Sequence, residues 1–276
     1  SGQVKRYPFM CQRLMLTTGH PLPARPEQPA VLRSIYPVEE KLTGITNQDS
    51  IAIKGLGLTF IDAVLALTEG RGGVFTSANN RRLHYEPSGG EPLKIFPFSR
   101  SGRMMIPRVS DYGSPKYPLK YFRKEVFAEQ RQYDFEKEIL PILLLEMKTA
   151  YYDCLCQQYD FPLKFDHSLP EQLSGFHKSW PKAPVFTPEE LFSALPAPEP
   201  QLHRYTLQTL DLTIREAALG RQKSPLAAAV ATWRAISPVF NEIYSFEGLT
   251  PVGQQLFDER YAGHLNRLAY GPPLIN

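Results

Sequence analysis

The chemistry this sequence offers lies in two short segments. Gly55-Leu56-Gly57 follows the β-branched run Ser50-Ile51-Ala52-Ile53-Lys54 and precedes the helix-like run from Phe60 to Glu69. In a strand–turn–helix unit the first glycine permits the tight turn, and the second lets the backbone approach a pyrophosphate. The helix then points its free N–H groups and positive dipole end at the anion. Gly55, Gly57, Leu58 and Thr59 are therefore the expected pyrophosphate-binding residues. Phe60 stands where the third glycine of the full pattern belongs, so a tight turn without a ligand stays open as the alternative.

The second segment is Ser99-Arg100-Ser101-Gly102-Arg103, at the end of the candidate strand Lys94 to Ser99. NAD sites place an acid about 20 residues beyond the first turn to hold the ribose hydroxyls. No acid fits that role here. Serine and guanidinium suit a 2′-phosphate instead, because the planar fork matches phosphate oxygens. Ser99, Arg100 and Arg103 thus make NADP(H) the expected nucleotide; a solvated basic loop is the competing reading. His20, beside Gly19, is placed to face a cofactor, against the plainer reading of a satisfied loop histidine. No side chain is an evident catalytic acid or base, so the catalytic residues stay unassigned.

Other chemistries are excluded by pattern. There is no GxxxxGK[ST] phosphate loop and no GxSxG nucleophile turn. Tyr112 and Lys116 have YxxxK spacing, but Gly113 and Pro115 forbid the helix that chemistry requires. Asp62, just after the glycines, reads as a cap or dipole partner rather than a base. The six histidines show no HxH, HxxxH or HExxH spacing, so no metal site is expected. Cys154-Leu155-Cys156 is CxC rather than CxxC, and with Cys11 the count is 3, which is odd. Ordinary half-buried thiols and a reducing, cytoplasmic setting follow.

Composition narrows the partners. Lys plus Arg is 31 and Asp plus Glu is 28, a net charge of +3, too small to argue for nucleic acid or an anionic membrane. No apolar run approaches the ~18–20 residues of a membrane span, and the first residues lack an apolar signal core. A small-molecule substrate is the expected partner. The 26 prolines predict many fixed connections and few very long helices.

The elements that must position these residues fall into three sections. Residues 1–48 contain a short apolar strand, Arg13 to Thr18, a proline-rich connector, and one or two helical turns at Pro37 to Gly44. Residues 49–115 alternate strand and helix: Ser50–Lys54, Phe60–Glu69 closed by Gly70 to Gly73, an inserted pair at Val74 and Leu83, then Lys94–Ser99 with Pro97 marking an edge. Residues 116–276 are mostly helical. Ile139, Leu143, Met147, Tyr151 and Leu155 recur at helical spacing, and Thr187-Pro188, Ser224-Pro225 and Thr250-Pro251 read as helix starts. The Ser224-Pro225 helix is expected to run through Trp233, and the helix from Tyr205 to end at Gly220. The expected architecture is α/β: a Rossmann-like three-layer dinucleotide-binding unit with a mostly helical C-terminal region. The apolar strand at 13–17 predicts self-association through an exposed sheet edge, unless residues 1–10 cover it.

Four segments together resemble a known family. Leu14-Met-Leu-Thr-Thr-Gly-His-Pro21 resembles the ATG strand-and-turn of two-dinucleotide flavoproteins, with Thr17 in place of the usual alanine. Gly55-Leu-Gly-Leu-Thr-Phe-Ile-Asp62 resembles the GxGLTxxD form of the NADPH turn, and Phe98-Ser-Arg-Ser-Gly102 the strand end that follows it. His264-Leu-Asn-Arg-Leu-Ala-Tyr-Gly-Pro-Pro273 resembles an HNRxxxGPP segment. The combination is similar to bacterial FAD/NAD(P)-binding proteins related to FAD-dependent urate hydroxylase and, more distantly, to N-hydroxylating flavin monooxygenases. The resemblance implies that NADPH reduces FAD and that the flavin carries the oxygen chemistry. Such proteins hold the FAD pyrophosphate on an N-terminal GxGxxG that this chain lacks, so it reads as a fragment, with FAD expected only in a full-length form. The expected function is the NADP(H)-binding part of a flavin-dependent oxidoreductase, a monooxygenase acting on a small molecule. The alternative is a non-catalytic binding or partner module that keeps the fold without the cofactor, a reading that Phe60 favours.

Overall fold

The computed structural model describes residues 31–77, 83–109, 117–129, 131–196 and 201–273. The expected strand at 13–18, Gly19 and His20, Cys11 and the Tyr112–Lys116 pair lie outside the described residues. The chain divides after Gly44 into two units, Ser1–Gly44 and Ile45–Asn276. In the first, the helix start expected at Pro37 is a single turn, α1 (Val38–Lys41).

The second unit opens with β1 (Ser50–Lys54), whose alternating Ile51 and Ile53 are half-buried. Gly55 leads into α2 (Leu58–Leu67), which begins two residues earlier than its composition alone suggested. A 3-10 turn at Glu69–Arg71 tightens its end, and Gly72 closes it at φ +93°, in the left-handed region that glycine adopts without penalty. An antiparallel hairpin follows, β2 (Val74–Ser77) and β3 (Leu83–Glu86), with the Phe75 and Tyr85 rings 4.9 Å apart. The Gly-Pro-rich turn beyond it is organised by Glu91. Its carboxylate accepts the Tyr85 hydroxyl at 2.6 Å and the Ser88 and Gly89 amides at 2.8 Å.

Next, β4 (Lys94–Phe98) pairs parallel to β1, with Ser50 opposite Lys94 and Lys54 opposite Phe98. Parallel strands require a crossover, and α2 supplies it, with the hairpin as an excursion on the way back. The described residues thus contain one parallel pair with one crossover helix and a separate hairpin. A three-layer Rossmann-like unit requires more strands than these. Phe96 and Phe98 on β4 are exposed.

Beyond residue 119 the chain is helical. Its longest helices are α3 (Leu140–Gln157), α5 (Leu202–Leu219) and α6 (Pro225–Ser245), with α4 (Leu169–Ser179), α7 (Pro251–Leu256) and α8 (Ala262–Ala269) between and after them. α3 packs against α6. Ile139, Leu143 and Met147 are fully buried there, facing Ile236 and Phe240. This is the helical stripe read from the sequence.

Proline placement explains where helices depart from expectation. Pro141 has no amide to donate to the carbonyl four residues back, and the preceding residues Phe135–Ile139 form a π turn in which the Leu140 amide reaches the Phe135 carbonyl. Thr187-Pro188 starts only a 3-10 turn, Pro188–Phe192, not a helix. Pro196, Pro198 and Pro200 follow it and block continuation. Conversely α6 runs past Trp233 and through Pro238. The Arg234 carbonyl that Pro238 cannot satisfy accepts the Ser237 hydroxyl at 3.4 Å. Ser224 and Thr250 cap α6 and α7, accepting the amides of Ala227 at 2.9 Å and Gly253 at 3.1 Å. Among the described residues, no helix is long and apolar enough to cross a membrane.

Candidate functional site

Because β1 and β4 run parallel and in register, the segments that follow them leave the sheet at the same edge. The Gly55 amide donates to the Phe98 carbonyl at 2.8 Å, tying the glycine turn to the start of the Ser99–Arg103 segment. The two expected nucleotide-binding segments are therefore neighbours.

Gly55 sits at φ +104°, which a side chain would strain. Gly57 is the N-cap of α2, and its carbonyl accepts the amides of Phe60 at 3.1 Å and Ile61 at 3.3 Å. The Leu58 and Thr59 amides have no acceptor among the described residues. Neither a side-chain cap nor a first-turn acid occupies this helix end. A Cβ at Gly55 or Gly57 would meet nothing within 4 Å, so the backbone there is open to a ligand. These residues fit a pyrophosphate: free helix N-terminal donors, positive dipole end and room for close approach. Phe60 is half-buried, one turn into the helix, and leaves the turn itself open.

The Ser99–Arg103 segment is a fixed turn. The Ser99 hydroxyl accepts the Gly102 amide at 3.0 Å. Gly102 adopts φ +66°, and its carbonyl accepts the Thr206 hydroxyl of α5 at 3.2 Å. Arg100 is exposed. Arg103 points elsewhere: Nε donates to the Ser193 carbonyl at 2.7 Å and Nη2 to the Glu190 carbonyl at 3.0 Å. The backbone at Phe98 thus stays with the glycine turn, whereas the Arg103 guanidinium fastens the 3-10 turn of the helical region and the charge of Arg100 reaches His264 of α8.

A second arginine, which sequence reasoning placed only within the HNRxxxGPP-like segment, joins Arg103 there. Arg267 of α8 is buried, and its Nη2 donates to the Leu191 carbonyl at 2.5 Å. Its Nε has no partner among the described residues. Burial, and then the charge of Arg103, push the Arg267 guanidinium down to about 10. His264, one turn earlier, is lowered first by burial and then by Arg267, Arg103 and Arg100, so its neutral form is favoured. Both arginines line a cavity of about 290 Å³ between the 102–106 segment and α5, walled by Met104, Leu195, Leu210 and Leu226 with Thr209 among them. The one signal in the sequence is an arginine on the apolar side of a helix, among Leu265, Leu268 and Ala269.

Cys154 and Cys156 are free and buried, their thiols pushed up to about 11 by burial. Burial thus disfavours their thiolate forms. No cluster of metal-ligating side chains exists among the described residues.

Comparison with known proteins follows this geometry. No family model matches the chain. It is 31% identical over 263 residues to a nitrosuccinic acid synthase of Aspergillus oryzae, an alignment that takes in 86% of this chain and 40% of that protein. It is 31% identical over 163 residues to a nitrosuccinate-forming L-aspartate N-monooxygenase of Streptomyces davaonensis, covering 51% of this chain and 25% of that protein. A protein of the same description from Streptomyces cremeus is 24% identical over 266 residues, covering 86% of this chain and 39% of its own length. The chain thus spans about two fifths of the curated relatives that it matches along most of its length. None of these three relatives is a urate hydroxylase, and that part of the resemblance is without support. The part that has support is the other one: two of the three relatives are described as L-aspartate N-monooxygenases, and this chain is similar to a portion of each.

Proposed function

We propose that this chain is the NADP(H)-binding and substrate-side portion of a flavin-dependent N-monooxygenase acting on a small amino acid of the aspartate class. The observation that supports the nucleotide half is the parallel β1–β4 pair, tied by the Gly55–Phe98 hydrogen bond of 2.8 Å, which brings the open glycine turn to the strand end from which the Ser99–Arg103 segment departs. The reaction class rests on the similarity along 86% of the chain to a nitrosuccinic acid synthase.

When bound, NADPH supplies the hydride that reduces a flavin, whose chemistry then activates oxygen. The chain's own part is placement. The Leu58 and Thr59 amides donate to the pyrophosphate, and Gly57 lets it approach the backbone. Arg100 pairs with the 2′-phosphate, a charge-assisted contact of roughly 1.5–3 kcal/mol. Ser99 keeps the turn that presents Arg100 in shape through its bond with the Gly102 amide.

Calorimetric titration of the chain with NADPH and NADH tests the assignment. NADPH binding tighter by roughly tenfold is expected. Equal affinities, or no binding of either, overturn it. The reaction class is tested separately, by adding FAD, NADPH and L-aspartate and looking for N-oxygenated product by mass spectrometry.

A further inference from the structure

We propose that the cavity between the 102–106 segment and α5 is a second, separate binding site, for a small carboxylate with an apolar body. Its lining includes a buried cation with an unused donor. Arg267 is 8% exposed, and its Nε–H finds no acceptor among the described residues. A buried polar donor without a partner is costly, and a buried charge without one more so. The carbonyls of Leu191, Glu190 and Ser193 satisfy only some of the N–H groups on Arg267 and Arg103. No acidic side chain lines the cavity among the described residues; the charge of Glu190 acts on Arg103 from an exposed position outside it.

The walls choose the rest of the ligand. Met104, Ile106, Leu195, Leu210 and Leu226 present apolar surface, and Thr209 adds a hydroxyl with no partner among the described residues. A volume of about 290 Å³ is at the lower end of small-molecule sites. An inorganic anion would leave most of the apolar wall uncovered. An amino acid such as aspartate would bring an ammonium group that no carboxylate in the lining can meet. One carboxylate on a ring or short alkyl chain satisfies both the arginines and the walls. The site is distinct from the glycine turn, so this reading stands or falls independently of the proposed nucleotide and reaction.

The probes are benzoate, its neutral isostere benzamide, and L-aspartate, each titrated calorimetrically into the chain. Benzoate is expected to bind one to one, with benzamide weaker by roughly tenfold or more and aspartate at equal concentration unable to displace benzoate. Thr209→Trp fills the cavity and is expected to abolish benzoate binding while the circular-dichroism spectrum and the cooperative melting transition persist. Arg267→Gln should level benzoate and benzamide; where that variant fails to fold, Thr209→Trp decides. No benzoate binding, equal binding of benzamide, displacement of benzoate by an equal concentration of aspartate, or benzoate binding that survives Thr209→Trp overturns the proposal.

Discussion

Glu146, fully buried on α3, accepts the backbone amide of Phe122 at 2.8 Å, and Phe122 is itself fully buried. The same carboxylate accepts the amides of Lys120 at 2.8 Å and Tyr121 at 2.7 Å. Three backbone donors thus neutralise the cost of burying the charge, and the charge in turn fixes the turn 120–122 on the helical core. Glu146→Gln puts an NH2 group against one of these donors. We expect a loss of about 1–3 kcal/mol, read as a lower urea midpoint at unchanged slope.

The two glycines of the turn should separate under mutation. Gly55→Ala forces a side chain into the left-handed region and should destabilise the fold by about 1–2 kcal/mol. Gly57 has φ −88° and open space around it, so Gly57→Ala should leave thermal stability within about 0.5 kcal/mol. That methyl group would stand where a pyrophosphate approaches, and NADPH affinity should fall. A stable Gly57→Ala protein with unchanged NADPH affinity would contradict the placement of the nucleotide.

Arg100 and Arg103 should also part company. Arg100→Ala is expected to erase most of the preference for NADPH over NADH with little change in melting temperature. Arg103→Ala removes two bonds to the carbonyls of Glu190 and Ser193 and should lower stability by about 1–3 kcal/mol while preserving the nucleotide preference. Melting curves and calorimetry on the two variants, side by side, check the division of roles.

His264 gives a pH signature. Its folded-state value lies below 6.5, chiefly from burial and then from Arg267, Arg103 and Arg100. The unfolded chain therefore binds the proton more readily than the folded one. Stability from this residue is full above 6.5 and is lost as the pH falls through 6.5 toward the lowered folded value. His264→Gln should flatten the fall in melting temperature between neutral pH and about pH 5. An unchanged fall would place its cause in other groups.

The parts that could be read from the sequence are those set by neighbours in the chain. The β-branched run before Gly55 and the apolar run after it were enough to place β1, the turn and α2, because a tight βα turn is a local event. The Ile139–Leu155 stripe was legible for the same reason. The extent of α6 was not: its passage through Pro238 depends on Ser237 supplying the missing donor, a compensation that helix-breaking rules do not anticipate. The Pro188 segment erred in the opposite direction, since its capping signals are good but the prolines beyond it leave no length to propagate. Arg267 stands within the HNRxxxGPP-like segment, which does not disclose its role. Its contact with Leu191 spans 76 residues of sequence, and its open donor is a property of the assembled cavity.

One further feature governs how the molecule can be taken apart. The Ile106 amide donates to the Arg267 carbonyl at 3.1 Å and the Arg108 amide to the Pro272 carbonyl at 2.9 Å, and Arg108 pairs parallel with Pro273. Gly271 is tight against the Ile106 carbonyl, where even a methyl group would collide. The chain therefore enters and leaves its helical region at one place. In the terms of protein engineering, that region is a cassette with a single doorway. With cuts at Pro107 and again after Pro273, an incoming cassette would have to bring its own glycine at the doorway. It would also need an amide, a hydroxyl and carbonyls that meet Ser101, Gly102 and Arg103, which stay behind and bond to Leu195, Thr206, Ser193 and Glu190.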